Sequence, residues 1–499
     1  MIHQLPGLIV IVPLLASLAA AASGWVNRKY PFIIAFLALS FTAYASVSML
    51  IYTAGGNVLT YHMSGWAPPV GISYKIDALN ALVLTAIQII ALINLPVSNS
   101  YVKYGFEKKE APFYGLYLLF ITGLTGITAT EDAFNLYVLL EVSSLTGYAL
   151  IGMGNTRSPF AALNYLIIGT IGASLYLLGV GYIYIKTGTL NMTEMSLMLP
   201  LLKDSSTIIM AFCLCVAGIL TKAALFPMHG WLPGAYSNGP NASMGIIAPL
   251  TTKVMIYVLI RLGISIFGVE LFIESFSLSN FMVNFCAIAI IAAALKALYH
   301  TKLKKILSYI IIMEVGYMAG GFFLGNSDGT TGAIIHIIND AAMTFCLFIA
   351  AGAITSKFLE EDIRNIRGIF EKMPFTSLAF AGGALAVIGI PPTCGFFSKW
   401  YLIKGGFGAG QYLFAGALIF SSFINAVIFF RIFEKSFFSD KDHFKAPENP
   451  KTQNINIKGP QISEAPLSVV VPLVSSLGLI IFLGLMTGKI VENYIIHLI

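Results

Sequence analysis

The chain has 499 residues, of which 57% are hydrophobic and only 10% are charged, and its mean hydropathy is +0.83. Soluble domains carry about 25% charged residues, so a chain this long and apolar is predicted to be a polytopic membrane protein in contact with the lipid bilayer. The net charge of +6 is small and the basic residues form no dense run, which argues against nucleic acid as a partner.

A membrane span needs about 17–25 apolar residues, and about fourteen stretches of the sequence meet this requirement. The first stretch has no basic residues before it, unlike a cleavable signal, and is interpreted as a span. In chain order the predicted spans are 8–22, 32–52, 76–95, 113–129, 133–152, 162–185, 207–226, 243–267, 281–299, 306–324, 331–356, 377–402, 411–433 and 467–486.

The distribution of basic residues over the loops predicts the orientation. Loops that follow odd-numbered spans hold about eighteen Lys and Arg, whereas the other loops and the termini hold about six. Because basic loops stay in the cytoplasm, both termini are predicted on the periplasmic, outer side of the cell (inner) membrane. This unequal distribution of basic residues between the two sets of loops also indicates an even number of spans.

Prolines interrupt two of the predicted spans. Pro227 interrupts the seventh, and Pro391 and Pro392 interrupt the twelfth. Proline removes a backbone donor, and a broken helix at membrane depth is tolerated only against protein or a cavity. Paired interruptions indicate an inverted repeat around an ion site. We therefore predict an all-α polytopic membrane protein of about fourteen transmembrane helices with two inverted five-helix repeats, each containing a broken helix.

This organisation divides the chain into four predicted parts. Residues 1–112 form an N-terminal three-helix segment, 113–267 a first half-channel, 281–438 a second half-channel, and 439–499 a linker with the C-terminal helix. The linker is polar and proline-containing, which indicates a flexible cytoplasmic loop or, alternatively, a lateral contact with a neighbouring subunit.

Several ionisable side chains lie inside the predicted spans. A charge at the bilayer centre costs about 2.5–3.5 kcal/mol on insertion scales, so such residues usually face a bundle interior or a water-filled path and pair with one another. Their presence predicts a route for protons or cations. The residues are Glu141, Lys222, Lys253, His336 and Lys399.

Each lysine has a structural alternative. Lys222 and Lys399 lie beside the interrupted segments, where free carbonyls and water are expected, but either could snorkel to the interface. Lys253 lies too deep in its span to snorkel easily. Arg261, two turns further on, lies nearer the interface and is interpreted as an anchor.

The carboxylates and the histidine also have structural alternatives. Glu141 suits a proton relay, or is a neutral carboxyl held in a structural hydrogen bond. His336 and Asp340 are four residues apart and share a helical face, although a lone membrane histidine is often a packing residue. Glu314, near the middle of the tenth span, would be the repeat counterpart of Glu141.

No residue pattern points to a metal or cofactor. The chain has five cysteines, none with the spacing that holds zinc or an iron–sulfur cluster. There is no phosphate-binding loop, so ATP is not the predicted driver. We therefore predict no cofactor, no metal and no redox centre in this chain.

Long motifs along nearly the whole chain resemble the proton-translocating antiporter-type subunits of respiratory complex I and of Mrp cation/proton antiporters, with relatives in membrane-bound hydrogenases. The length and TGTLNM from Thr187 are most similar to the D-type member of the Mrp antiporters. The motifs are HMSGWAPPVGISYKIDAL from His62, FNLYVLLEVSSLTGYAL from Phe134, GILTKAALFPMHGWLP from Gly218, TKLKKILSY from Thr301, GAIIHIIN from Gly332 and GIPPTCGFFSKW from Gly389.

The resemblance implies a fold of fourteen helices with inverted five-helix repeats and assigns roles to the buried residues. Glu141 and Lys222 resemble the carboxylate–lysine pair of the first half-channel. Lys253 and His336 resemble the central relay, and Lys399 the exit-side lysine.

Three positions depart from the family pattern. Asn164 stands where a lysine often precedes the tyrosine of the sixth span, Asp340 replaces a common histidine, and Thr344 replaces a common lysine. These changes reduce the number of basic residues in the relay of the second half. Asp340 keeps a titratable site there or favours sodium.

The sequence therefore predicts a proton-conducting subunit of a multisubunit monovalent cation (Na⁺)/H⁺ antiporter, working with other membrane subunits. The alternative is a proton-pumping membrane subunit of a respiratory NADH:quinone oxidoreductase or membrane-bound hydrogenase complex, whose redox chemistry would lie elsewhere in the complex. A third hypothesis, a scaffold that does not conduct, conflicts with the retention of buried charges.

Overall fold

The computed structural model describes residues 2–106, 109–154, 157–202, 205–268, 278–437 and 463–496. Their regular structure is almost entirely helical. The helices are α1 (Leu5–Ser23), α2 (Tyr30–Thr53), α3 (Ala78–Gly105), α4 (Glu110–Ala129), α5 (Ala133–Gly152), α6 (Ser158–Thr187), α7 (Met192–Met198), α8 (Ser206–Lys222), α9 (Leu232–Asn238), α10 (Asn241–Arg261), α11 (Leu278–Tyr299), α12 (Leu303–Phe323), α13 (Ser327–Phe358), α14 (Ile369–Lys372), α15 (Pro374–Ile388), α16 (Cys394–Gly408), α17 (Tyr412–Phe437) and α18 (Leu467–Ile490).

A small β-hairpin, which the sequence analysis did not predict, joins α2 to α3. Its strands β1 (Leu59–His62) and β2 (Ser73–Ile76) pair antiparallel, with Leu59 opposite Ile76. Leu59 and Ile76 are fully buried. The hairpin thus adds an apolar edge to the end of the helical bundle.

Twelve helices in the described residues are long and apolar enough to cross a membrane, which confirms the predicted all-α polytopic class. They coincide with all the predicted spans except the seventh and the twelfth. The seventh, 207–226, covers almost all of α8 and the start of the non-helical segment before α9. The twelfth, 377–402, overlaps both α15 and α16, which a non-helical segment separates. The total of about fourteen crossings and the inverted repeat stay predictions.

The four-part division of the chain also stays a prediction. Residues 439–462 of the predicted linker lie outside the described residues. Just beyond them, the Glu464 carboxylate accepts hydrogen bonds from the backbone N–H of Phe375 (2.9 Å) and the hydroxyl of Thr376 (2.6 Å). This contact fastens the chain before α18 to the first turn of α15, where an acidic group complements the helix dipole.

Polar caps set the starts of several membrane helices. Asp77 caps α3 in a capping box with Asn80, Asp132 caps α5 by accepting from the N–H of Asn135 (2.6 Å), and Asn326 caps α13 by accepting from the N–H of Gly329 (2.8 Å). Such side chains pair the first helical N–H groups, which lack intrahelical partners.

Two helices run entirely inside the protein and position the site. In α10 and α13, 100% of the residues in the most apolar 18-residue stretch are buried. In peripheral helices such as α2 and α6, only 39% of the residues in the corresponding stretch are buried. α10 packs against α13, and α13 also contacts α12 and α16. Lys253 of α10 and Asp340 of α13, which lie in these buried stretches, therefore contact protein.

Glycines allow α6 and α8 to approach closely. A side chain at Gly218 of α8 would lie 2.5 Å from the carbonyl oxygen of Gly172 and 2.7 Å from the backbone nitrogen of Tyr176, both on α6. Small residues let membrane helices pack backbone to backbone. This contact fixes the position of Lys222, one turn further along α8.

Replacing Gly218 with alanine should therefore push α8 away from α6 and destabilise the fold by about 1–3 kcal/mol, the usual cost of overpacking. Thermal unfolding of the purified protein measures the effect. Gly181→Ala on α6 is the matched control, because a Cβ there meets nothing within 4 Å. Equal unfolding temperatures for the two variants would contradict the close contact.

Candidate functional site

The first charged cluster forms where α8 ends against α5. Lys222 Nζ donates to Ser144 Oγ (2.7 Å) and Tyr148 Oη (3.4 Å) and lies 3.8 Å from Glu141 Oε1. Glu141, Ser144 and Tyr148 lie on one face of α5 because they are three and four residues apart. The Lys222 side chain is 3% exposed and that of Glu141 is 21% exposed. The lysine of the ion pair is thus buried, whereas the glutamate side chain is partly exposed.

The helix break follows directly after this lysine. The segment 223–231 contains Pro227 and separates α8 from α9. The indole of Trp231 donates to the carbonyl of Thr221 (3.2 Å) and so pairs one of the carbonyls that the end of α8 leaves free. The Trp231 side chain therefore fastens the break between α8 and α9.

The second cluster joins α10 to α13. Lys253 Nζ lies 3.0 Å from Asp340 Oδ2, and the two side chains are 2% and 0% exposed. Thr344 Oγ1 accepts from Lys253 (3.1 Å) and donates to Asp340 Oδ1 (2.7 Å). Thr344 thus bridges the two members of a fully buried ion pair.

A second carboxyl group adjoins this pair. Glu314 of α12 is buried close to Asp340, and its Oε1 makes no hydrogen bond to a described residue. The central cluster therefore holds a second buried acidic group with an unpaired oxygen.

His336 extends the cluster one helical turn along α13. Its Nδ1 lies 2.8 Å from Ser398 Oγ, and its ring meets that of Tyr317 edge-on at 5.5 Å. The side chain is fully buried, and Nε2 has no hydrogen-bond partner among the described residues. His336 and Asp340 share a helical face, but the direct partner of Asp340 is Lys253.

Lys399 occupies the second helix break. Its Nζ donates to the carbonyl of Val387 (2.6 Å) at the end of α15 and to Ser422 Oγ (2.9 Å), and it lies 5.2 Å from the centre of the Tyr317 ring. The C-terminal end of a helix carries partial negative charge. Lys399 is therefore held by a helix terminus and an aromatic ring, whereas Lys222 has a carboxylate. Pro391 and Pro392 lie between α15 and α16.

The interpretation of Arg261 as an interface anchor is wrong. Arg261 is 8% exposed, and its Nη1 and Nη2 donate to the two carboxylate oxygens of Asp77 at 2.7 and 3.0 Å. Tyr257 Oη accepts from Arg261 Nε (3.2 Å) and donates to the Thr128 carbonyl (2.9 Å). This bidentate pair ties the start of α3 to the end of α10.

A polar cavity of about 810 Å³ opens where α9 meets α10. Its lining includes Ser237, Asn238, Asn241, Lys304 and Glu361. Lys304 is buried and donates to Asn241, whose amide also donates to Ser356 Oγ (2.7 Å). The cavity therefore borders the C-terminal end of α9, which follows the first helix break.

Sequence reasoning missed the hydroxyl groups of the clusters. Ser144 follows Glu141 by one helical turn and Ser398 directly precedes Lys399, so helical spacing was an available signal for Ser144. Tyr317 and Ser422 come from other helices, and no local pattern marked them. Within the described ranges no group of three or more His, Cys, Asp or Glu could hold a metal ion.

The fold and the clusters define a polytopic helical membrane protein with ionisable groups buried between two broken helices. Residues 130–425 match the family described as "NADH:quinone oxidoreductase/Mrp antiporter, TM". The chain belongs to this family, as the resemblance in its motifs predicted.

Similar proteins come from both branches of the family. The chain is 38% identical over 503 residues to NADH-quinone oxidoreductase subunit N of Desulforudis audaxviator, covering 99% of this chain and 98% of that protein. It is 31% identical to the putative antiporter subunit mnhD2 of Staphylococcus aureus (strain MRSA252), covering 88% and 86% of the two chains. These relatives confirm the predicted superfamily.

Two solved structures share the fold. A chain of the Mrp complex from Dietzia sp. DQ12-45-1b superposes with a TM-score of 0.84 at 23% identity, covering 100% of this chain and 98% of that chain. A chain of the membrane-bound sulfane sulfur reductase, an archaeal respiratory membrane complex, superposes with a TM-score of 0.87 at 24% identity, covering 97% and 95%.

Proposed function

We propose that this chain is the proton-conducting membrane subunit of a multisubunit Na⁺/H⁺ antiporter. The observation that carries the proposal is the Lys253–Asp340 ion pair, buried at 3.0 Å between the two innermost helices. A buried pair is weak evidence for stability, because its desolvation cost often exceeds its attraction. Intramembrane ionisable residues instead mark ion pathways by default.

Lys222, with Glu141, and Lys399 extend this pathway to the two helix breaks. A buried charge that loses its counter-charge is strongly destabilised. A proton that arrives at one cluster therefore changes the free energy of the charges in the neighbouring clusters. Moving one charge across 100 mV involves about 2.3 kcal/mol, which is within the range of such charge rearrangements. Transport of sodium in the opposite direction would follow from charge coupling to a neighbouring subunit.

A partly exposed carboxylate supports a hetero-oligomeric assembly. The Glu141 side chain is partly exposed, and Asn164 and Ser174 are exposed on the adjacent helix α6, all three inside predicted membrane spans. Polar groups seldom face lipid. Another membrane subunit that covers this face would remove them from the bilayer. The cytoplasmic position of the basic loops and the periplasmic position of both termini in the cell (inner) membrane belong to the same proposal.

A respiratory complex is the second candidate function. It is favoured by the 38% identity to an NADH-quinone oxidoreductase subunit over 99% of this chain. Here the same buried groups would conduct protons, and redox chemistry elsewhere in the complex would drive them. NADH or another reductant, in place of sodium, would then be the driver.

Inverted membrane vesicles that contain the chain with its native partners distinguish the two candidates. For the antiporter, added sodium collapses a preformed pH gradient and NADH has no effect on it through this complex. If sodium has no effect, and a reductant drives proton uptake by the complex, the respiratory function is correct. Vesicles from a strain that lacks the chain are the control.

A further inference from the structure

An apolar cavity of about 350 Å³ lies between α2, α3, α13 and α18, and no residue of the charged clusters lines it. The hydroxyl of Thr85 in its wall already donates to the backbone carbonyl of Ala81 (2.7 Å). The apolar residues of the wall include Leu82, Ala86, Ile338, Ala342, Leu479 and Phe482. The cavity therefore favours an apolar occupant.

The cavity extends from the middle of the helical bundle to one of its ends. On α18 the lining begins at Leu479, in the middle of the helix, and reaches Lys489 in the last turn. At about 1.5 Å per residue, this stretch is about 15 Å long. On α13 the lining includes Ala342, again in the middle of the helix, and on α3 it begins at Leu82, near the helix start. The hydrocarbon core of a bilayer is about 30 Å thick, so the cavity has the depth of one lipid leaflet.

The cavity is bordered by exposed apolar side chains on two helices. Val47 of α2 is 38% exposed and Phe482 of α18 is 55% exposed, and both line the cavity. Both residues lie inside predicted membrane spans, where the surroundings are acyl chains as apolar as leucine. An acyl chain can therefore enter the cavity from the side of the bundle.

Polar side chains gather at the end of the cavity where α18 finishes. They are the ammonium of Lys489, the amide of Asn493 and the hydroxyl of Tyr494. Lys489 is exposed and forms no ion pair with a described residue. The carboxylate of Glu492 is near in sequence but does not line the cavity. All three lining groups can donate hydrogen bonds, and an ammonium binds phosphate oxygens through strong, charge-assisted hydrogen bonds.

We propose that this cavity binds one anionic phospholipid, with an acyl chain between the helices and the phosphate at Lys489. The depth of the cavity matches one leaflet, and its lysine lies at the end where the headgroup would lie. Tyr494 is there too, and tyrosine is enriched at the level of the headgroups. The headgroup of phosphatidylglycerol carries no ammonium of its own, so Lys489 is the cation that pairs with its phosphate. Phosphatidylethanolamine brings its own cation and gains less.

The bound chain contacts α13 close to the central ion pair. Ile338 and Ala342 line the cavity, and each is two residues from Asp340. Residues two apart on a helix do not share a face, so the acyl chain packs on a different side of α13 from the Lys253–Asp340 pair. The lipid thereby supports the helix that carries Asp340. This site lies outside the proton pathway and goes beyond the proposed function.

Native mass spectrometry of the full-length chain, delipidated in mild detergent and titrated with phosphatidylglycerol, tests the inference. Lys489→Ala is expected to weaken binding of the first phosphatidylglycerol roughly tenfold, as for the loss of a hydrogen bond to a charged group. Lys186→Ala is the matched control, because Lys186 is also exposed in the last turn of a predicted membrane helix, α6, but does not line the cavity. Ala86→Phe, which fills the cavity, should weaken binding to a similar degree.

Equal affinities of Lys489→Ala and Lys186→Ala for phosphatidylglycerol would overturn the inference. Equal affinities of the wild type for phosphatidylglycerol and phosphatidylethanolamine would overturn it as well. If Ala86→Phe binds phosphatidylglycerol like the wild type but no longer co-purifies with the native partner subunits, the cavity is a subunit interface and the inference is wrong. The titration does not measure transport, so its result is independent of the proposed function.

Discussion

Replacing Lys253 with alanine is expected to destabilise the protein by about 3–5 kcal/mol, because the substitution leaves Asp340 buried without its counter-charge. Asp340 is 0% exposed, and Lys253 is its only ion-pair partner in the described part of the chain. Thr344 still donates a hydrogen bond to Asp340 (2.7 Å), but Glu314 adds a second acidic group beside it. Chemical or thermal unfolding of the purified protein measures the loss.

A double variant separates stability from transport. Lys253→Met combined with Asp340→Leu removes both charges, and replacing a buried ion pair with apolar side chains of similar size is often neutral or stabilising by about 1–4 kcal/mol. We expect this variant to recover most of the stability and to remain unable to move protons. Wild-type stability in Lys253→Ala would contradict the buried pair, and proton flux in the double variant would remove the pair from the pathway.

Replacing Lys399 with alanine is expected to lower proton flux roughly 10²-fold, the usual contribution of a positioned proton-transfer group. Its ammonium is held by the Val387 carbonyl, Ser422 and the Tyr317 ring at the second helix break. Alanine leaves these groups without a cation. The flux assay in vesicles with the native partners measures the effect, and an unfolding curve shows whether the variant remains folded.

Lys404→Ala is the matched control for Lys399→Ala. Lys404 lies on the same helix α16, but its side chain is 59% exposed and pairs with Asp328 at the surface. Exposed ion pairs contribute only about 0–1 kcal/mol, so this variant should conduct and unfold like the wild type. If Lys399→Ala also conducts normally, Lys399 does not lie on the pathway.

The positions of the membrane spans and of the charges inside them could be predicted from the sequence, because the membrane imposes simple rules. A run of apolar residues long enough to cross the bilayer is visible without knowledge of packing, and a charge inside such a run is costly wherever it lies. The breaks near Lys222 and Lys399 were indicated by the prolines beside them, since proline removes a backbone donor and can interrupt a helix.

Partners between helices could not be predicted. The sequence placed Asp340 on one face with His336, which the helical spacing requires, but only the packing of α10 on α13 brings Lys253 to within 3.0 Å of Asp340. The error at Arg261 has the same cause. Its carboxylate partner Asp77 lies 184 residues away in the chain, so no local pattern indicated that the guanidinium would be buried.

The backbone groups that contact the site residues could not be predicted from the sequence either. The carbonyls that hold Lys399 belong to the end of α15, and their availability depends on where the helix stops. The glycines that let α6 and α8 touch are common in membrane helices, so their role emerges only from the contact itself. Hydropathy therefore predicts the elements and the buried charges, whereas the geometry of the site depends on helix packing.

The central claim, proton conduction through the buried lysines, is tested most directly by sodium-dependent proton movement in inverted vesicles that contain the complex with Lys222→Ala. Lys222 is the buried member of the first pair, and alanine removes its charge. We predict that sodium collapses a preformed pH gradient in the wild type and not in the variant. If the wild type responds to sodium and the variant responds equally, the buried charge at Lys222 is structural and the account is contradicted.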